Sequence, residues 1–228
     1  MKEVNSYGWK AVIGSSIGYA MDGFDLLILG FMLTLISGDL GLTTGQAGSL
    51  VTWTLVGAVI GGFIFGTLSD KFGRVRVLTW TIVLFAIFTG LCAFAQGYWD
   101  LLIYRTIAGI GLGGEFGIGM ALAAEAWPAQ HRAKATSYVA IGWQLGVLAA
   151  ALLTPVLLPY IGWRGMFMVG IIPAFVAWFF RAKLHEPEIF VHSKETKEHS
   201  HTNSFKLLVK DVRTTKTSIG VAVLTSVQ

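Results

Sequence analysis

Apolar runs of about twenty residues alternate along the chain with short segments that carry most of its charge. A helix needs about 20 mostly apolar residues to cross the hydrocarbon core of a bilayer. Six segments meet that requirement, at 11–36, 47–68, 77–95, 101–124, 135–158 and 165–180, and a seventh begins near residue 217. The runs lack strict two-residue alternation and are about twice as long as a barrel strand, so they read as helices. The pattern predicts an all-α integral membrane protein. Its parts are a six-helix transmembrane bundle over 1–182, a polar cytoplasmic linker over 183–216, and the truncated start of a seventh span over 217–228.

Composition sharpens this reading. Only 13% of the 228 residues are charged and 54% are hydrophobic, against about 25% charged in soluble chains. The 28 glycines lie among Leu, Ile, Phe and Ala rather than in linkers, as in membrane helices. Cys92, the one cysteine, excludes a disulfide framework and a multi-thiolate metal site. The net charge of +4 does not point to nucleic acid, because the basic residues follow a membrane pattern. Fifteen of the 17 Lys and Arg residues fall before span one or after spans two, four and six. By the positive-inside rule the N-terminus is cytoplasmic, as for a multi-pass protein of the cell (inner) membrane. A cleaved signal peptide fits poorly, since the first apolar run is too long and carries two aspartates. Six tryptophans (Trp9, Trp80, Trp99, Trp127, Trp163, Trp178) fall near span ends, where an aromatic belt would place them. His192, His199 and His201 are irregularly spaced among Ser, Lys, Glu and Thr, which suits a solvated linker better than a metal site.

Ionisable groups inside the spans are costly and mark function by default. Asp22 and Asp25 are three residues apart on one helix face, which Ser15 and Gly18 continue. Carboxylates this close repel, so one is expected to hold an exchangeable proton; the alternative is a structural pair with Arg105. Arg105 and Glu115 lie about 15 Å apart along span four, too far to pair with each other. Each therefore needs a partner on another helix or a ligand, and either Asp22 or a substrate carboxylate would serve Arg105. Gln144, beside Trp143 in span five, fits a polar ligand and an interhelical hydrogen bond equally well. Gly109, Gly111 and Gly114 match a dinucleotide-binding pattern, but no strand precedes them. The spacings Gly57/Gly61, Gly62/Gly66, Gly109/Gly113 and Gly142/Gly146 read instead as helix-packing positions.

The link between spans two and three reads Gly66-Thr-Leu-Ser-Asp70-Lys71-Phe-Gly73-Arg74-Val-Arg76. Gly73 permits a tight turn, and Asp70 sits among cations where it can also cap a helix. This order resembles the loop signature of the major facilitator superfamily, with Val75 departing from its usual second basic residue. Arg105 with Gly109, Gly111 and Gly113 is similar to that family's fourth-helix signature. Glu125-Ala-Trp-Pro128 with Arg132, and Gly162-Trp-Arg164 with Phe167, resemble further recurrent elements. Asp22-Gly-Phe-Asp25 resembles a motif of aromatic-acid:proton symporters, whereas Gly114-Glu115-Phe is closer to the sialic-acid and lactate-type branch. The resemblance implies two three-helix inverted repeats and proton-coupled uptake of a small organic anion. It implies an inner gate at Asp70 and Arg74, and proton coupling through Arg105 and an acidic partner.

Such carriers have two six-helix halves with the substrate site between them. The chain is expected to supply one half, needing a C-terminal six-span half or a second copy to complete the pathway. Alone, Asp22, Asp25, Arg105 and Glu115 are expected to stand uncovered on its cavity face. A sugar or other-solute facilitator, or a truncated fragment that does not transport, is the alternative. No nucleophile–base pair, metal cluster or G-x-x-x-x-G-K-(S/T) loop occurs. Enzymatic catalysis and ATP-driven pumping are therefore not expected, nor is a cofactor; the proton gradient is the expected energy source.

Overall fold

The computed structural model describes residues 6–181, all of whose regular structure is helical. Five long helices follow the apolar runs: α1 (Ser6–Leu40), α2 (Thr44–Phe72), α3 (Arg74–Cys92), α4 (Tyr98–Glu125) and α5 (Arg132–Arg181). A single 3₁₀ turn (Ala129–His131) precedes α5. The linker, its histidines and the seventh span lie outside the described residues.

α1, α2 and α4 extend beyond their apolar runs, because a helix keeps its backbone bonds after it leaves the hydrocarbon. α3 stops early. Its run continues to Ala95, but Phe94 and Ala95 donate to Leu91 and Cys92, the i→i+3 pattern that tightens a last turn. Local chemistry sets the other ends. Gly41 takes φ 62° after α1, and Leu42 N–H reaches the Ser37 carbonyl at 2.9 Å, a Schellman stop. Thr43 and Gln46 then form a reciprocal capping box that starts α2.

α5 carries two of the expected spans. At 50 residues it would extend about 75 Å, more than twice the hydrocarbon thickness. It breaks at Gly162, whose φ of 64° and ψ of −178° are not helical. Limbs 132–161 and 163–181 are each long enough to cross, which gives six membrane-length segments. Pro159 lies just before the break and removes one backbone donor there.

Glycines set how closely the segments approach. A Cβ on Gly57 or Gly61 would meet the Thr106 and Ile110 carbonyls of α4. One on Gly109 or Gly113 would meet the Thr54 and Ala58 carbonyls of α2. The first limb of α5 crosses α1 in the same way, with Gly142 and Gly146 on the Ser16 and Ala20 carbonyls. The expected Gly62/Gly66 pair does not pack, since Gly66 faces open space. α3 packs on α4, with the Cβ position of Gly111 2.8 Å from the Thr81 carbonyl. The second limb of α5 packs on both α1 and α3, with the Cβ position of Gly170 3.5 Å from Ile28 and Thr89. Exchanging α1 with α4, α2 with the first limb and α3 with the second limb reproduces these contacts. That is the relation of two inverted three-helix repeats.

The core divides between the ends of the bundle. Phe24, Ile28, Leu29 and Met32 of α1 pack with Met166 and Phe167 at one end. Ala11 packs with Val77, Leu78, Ile118 and Leu122 at the end that holds the N-terminus. The outer faces of α2 and α5 are apolar, with Val59, Phe63, Leu152 and Phe175 all exposed, as suits lipid or a second transmembrane body.

Candidate functional site

The ionisable residues of spans one and four do not stand on an uncovered face. Asp22 is 1%, Asp25 1%, Arg105 0% and Glu115 2% exposed. The expectation of exposed carboxylates fails because α3 and the second limb of α5 close over that side of α1 and α4. Arg105 pairs with Asp25, not Asp22. Its two terminal nitrogens donate to the two Asp25 oxygens at 3.0 and 2.8 Å, the fork-on-carboxylate geometry that makes such pairs strong. The Phe167 ring centroid lies 5.8 Å from the guanidinium carbon, close enough for a cation–π contribution. Arg105 thus has both terminal nitrogens committed and presents no surface to a ligand. Glu115 turns toward α3, where Thr81 Oγ1 donates to it at 3.3 Å.

Asp22 is buried one turn before Asp25, beside Tyr19. Tyr19 belongs to an aromatic group that spans three helices. Its ring centroid lies 5.0 Å from that of Phe116 on α4 and 5.1 Å from that of Trp143 on α5. Trp143 is held at this depth by its backbone, whose carbonyl lies 2.6 Å from the Cβ position of Gly23. Gln144, for which a polar ligand and an interhelical hydrogen bond were both open, is exposed. Gly142 and Gly146 take the inward side of that helix, so Gln144 points away from α1 and cannot serve as an interhelical bond within the bundle.

A second polar cluster lies at the end of the bundle that holds the N-terminus. Gly73 ends α2 and starts α3 with φ 108° and ψ 150°, a conformation open essentially to glycine alone. The turn brings Arg74 back against the last turn of α2. Arg74 pairs with Asp70 at 2.9 Å and Glu125 at 3.1 Å and donates to the Ser69 carbonyl at 3.0 Å. Asp70 therefore serves as an ion-pair partner; no side chain caps α3. Lys71 and Arg76 are exposed and Gly66 is half-buried. Glu125, which joins this cluster to α4, was legible only as part of a motif.

The opposite end holds a cluster that the sequence reading missed. Asp39 accepts from the Trp163 indole at 3.0 Å and from Arg164 at 2.6 Å. Arg164 also reaches the Ala95 carbonyl at 3.3 Å. These bonds fasten the end of α1 and the turn after α3 to the start of the second limb of α5. Two of the six belt tryptophans are consequently internal. Trp163 is buried on Asp39, and Trp127 is buried with its indole on the Gly8 carbonyl at 3.0 Å. Among the described residues no cluster of His, Cys, Asp and Glu has the makings of a metal site.

Comparison with known proteins agrees with this architecture. A Haemophilus influenzae protein that bears the provisional name of metabolite transport protein is 75% identical over 99% of the chain and 57% of its own length. The Escherichia coli sialic acid transporter NanX is 32% identical over 85% of the chain and 48% of its own length. The chain therefore spans about half the length of these relatives. The solved structure of the proton:xylose symporter XylE bound to 6-bromo-6-deoxy-D-glucose matches with a TM-score of 0.76 at 25% identity, over 86% of the chain and 48% of XylE. Both relatives are named as transporters and neither as an enzyme. With the Major Facilitator Superfamily matched over residues 15–227, the chain belongs to that superfamily as a multi-pass integral membrane protein.

Proposed function

We propose that the chain forms the N-terminal half of a secondary active transporter that couples proton entry to uptake of a small organic anion. The observation that carries this reading is the buried Arg105–Asp25 fork with Asp22 one turn away. Burying a charged pair rarely gains stability over apolar packing of the same volume. Its presence deep in the bundle therefore calls for a use. A proton on Asp25 removes the charge that holds Arg105 and weakens both bonds of the fork. Arg105 is then released to a second acceptor, and the α1–α4 contact changes. Asp22, one turn away on the same helix, is the neighbouring carboxyl through which such a proton passes, and Glu115, farther along α4 on Thr81, is a separate site for a proton. Proton coupling needs no bound cofactor, because the gradient supplies the energy.

Alternating access in this fold rocks one half against the other about a midplane site. The Asp70–Arg74–Glu125 cluster lies at the end where such a motion opens or closes a pathway. It serves as the inner gate in this reading, with Lys71 and Arg76 exposed beside it. The positive-inside bias puts that end in the cytoplasm, with the carrier in the inner membrane. The name of NanX supports an acidic substrate; likeness to the xylose symporter supports proton coupling and leaves a sugar or other neutral solute as the second reading.

The test is uptake into proteoliposomes that hold the carrier expressed from its complete reading frame. Under an acid-outside gradient, a labelled carboxylate substrate accumulates above equilibrium, and a protonophore abolishes the excess. Equilibration alone, unaffected by the gradient, refutes proton coupling. Uptake of neutral sugars with no competition from carboxylates favours the second reading.

A further inference from the structure

The two ends of the bundle carry the same device, with one part missing from the second. Exchange of the inverted repeats sets Gly162 on Gly73, Asp39 on Glu125 and Arg164 against Arg74. At the N-terminal end Arg74 is held by two carboxylates, Asp70 and Glu125, and its side chain is 16% exposed. At the opposite end the Arg164 side chain is 46% exposed, and Asp39 is its one carboxylate among the described residues. Asp70 stands three residues before its glycine, and Pro159 holds that place before Gly162. Where a second carboxylate is lacking, a cavity of about 630 Å³ opens between the end of α1 and the break in α5.

The groups on this cavity are ordered but not used up. The Arg164 guanidinium carbon lies 4.1 Å from the Trp163 ring centroid, and its terminal nitrogens donate to Asp39 and to the Ala95 carbonyl. These contacts fix the fork in advance, which lowers the ordering cost of binding an anion. They engage two of the five N–H groups of a guanidinium. Asp39 takes both its bonds on Oδ2, so Oδ1 is left to accept from a cation. A donor fork thus lies beside an open acceptor. The apolar run of α1 ends at 36 and that of the second limb begins at 165, which puts both groups at the edge of the hydrocarbon. Leu35, Leu158 and Ile161 line the same cavity, and Leu35 is 51% exposed one turn before Asp39. A water-soluble ion would leave these apolar side chains uncovered; an acyl chain covers them.

We propose that this cavity holds the headgroup and upper acyl chains of an aminophospholipid of the ethanolamine type, in the leaflet opposite the N-terminus. The lipid phosphate accepts from Arg164 and takes the part that Asp70 plays on Arg74. The primary ammonium donates to Asp39 Oδ1. The acyl chains lie on Leu35, Leu158 and Ile161. A choline headgroup carries the same charges but has no N–H to give Asp39, and a glycerol headgroup has no cation.

The test is native mass spectrometry of the carrier from its complete reading frame, stripped of lipid in detergent. It is titrated with phosphatidylethanolamine, phosphatidylcholine and phosphatidylglycerol of identical acyl chains. The ethanolamine lipid is expected to bind about tenfold more tightly than the other two, the value of one hydrogen bond to a charged group. Asp39→Asn and Arg164→Gln should each reduce that preference to below about threefold, while Asp39→Glu and Arg164→Lys should keep most of it. The preference among headgroups in the unmodified carrier needs no variant, so a misfolded mutant does not decide the matter. Equal binding of the three lipids, or a preference that survives both Asp39→Asn and Arg164→Gln, overturns the site. Displacement of the lipid by equimolar inorganic phosphate or glycerophosphoethanolamine shows a headgroup pocket without an acyl floor, and overturns the lipid assignment. Retention of no lipid at all means that a second transmembrane body fills the cavity, which also overturns it. None of these outcomes bears on proton coupling or on the transported solute.

Discussion

Breaking the Arg105–Asp25 pair from one side gives the sharpest energetic prediction. Asp25→Asn removes the charge opposite a guanidinium that is 0% exposed and cannot shed its proton. The two bonds at 2.8 and 3.0 Å lose their charge assistance. An amide has one acceptor oxygen where the carboxylate had two, so at least one terminal nitrogen loses its partner. The Phe167 ring, 5.8 Å away, offers at most about 2 kcal/mol of compensation. Stranding one member of such a pair costs about 3–5 kcal/mol, whereas replacing both by apolar side chains is near neutral. Asp25→Asn should therefore destabilise the chain by about 3–5 kcal/mol, and Asp25→Leu/Arg105→Met by about 1 kcal/mol or less. Denaturant unfolding in detergent micelles, followed by tryptophan fluorescence, measures both. A single variant within about 1 kcal/mol of the unmodified chain, or a double variant no more stable than Asp25→Asn, would refute the assignment of a dry, closed pair.

Other consequences are local and separable. Gly113→Ala places a methyl on the Ala58 carbonyl and forces α2 and α4 apart, while Gly117→Ala enters open space. Thermal melting should show a clear loss for the first and little change for the second. Gly162→Ala imposes a side chain on φ 64° and ψ −178°, and should cost about 1–3 kcal/mol through backbone strain alone. An equally stable variant in chemical denaturation would show that the break between the limbs of α5 does not need glycine. At the inner cluster, Asp70 is 42% exposed and Glu125 22%, so solvent screens the first pair more. Asp70→Ala should cost less than about 1 kcal/mol and Glu125→Ala more than Asp70→Ala, and the reverse order in unfolding experiments would contradict the geometry.

Much of the architecture was legible in the sequence because bilayer thickness imposes a length on each span. The six runs, the inverted repeats implied by the family resemblance, and three of the four glycine spacings all correspond to what the helices do. Gly73 also behaves as its position in the loop implied. The azimuth of side chains was harder to read. Whether Asp22 or Asp25 meets Arg105 depends on the relative rotation of α1 and α4, and three residues of spacing put both carboxylates on one broad face. The direction of Gln144 was left open for a related reason. Hydropathy shows that it lies inside a span, but only the packing of Gly142 and Gly146 on α1 shows that it turns outward. The Asp39 cluster was missed because a lone acid at a helix end carries no pattern. Its partners, Trp163 and Arg164, are more than 120 residues away in the chain. Uncovered carboxylates were expected from treating the chain as a cut surface, yet α3 and the second limb of α5 cover them from within the same half.

Asp25 carries the central claim, and one experiment addresses it directly. Asp25→Asn, in the carrier from its complete reading frame, is reconstituted and assayed in two modes. Exchange of labelled for unlabelled substrate without a gradient reports a folded, moving carrier; accumulation under an acid-outside gradient reports coupling. The account predicts that exchange persists while gradient-driven accumulation is lost. Accumulation as strong as in the unmodified carrier would contradict it, because the proton would then travel without Asp25.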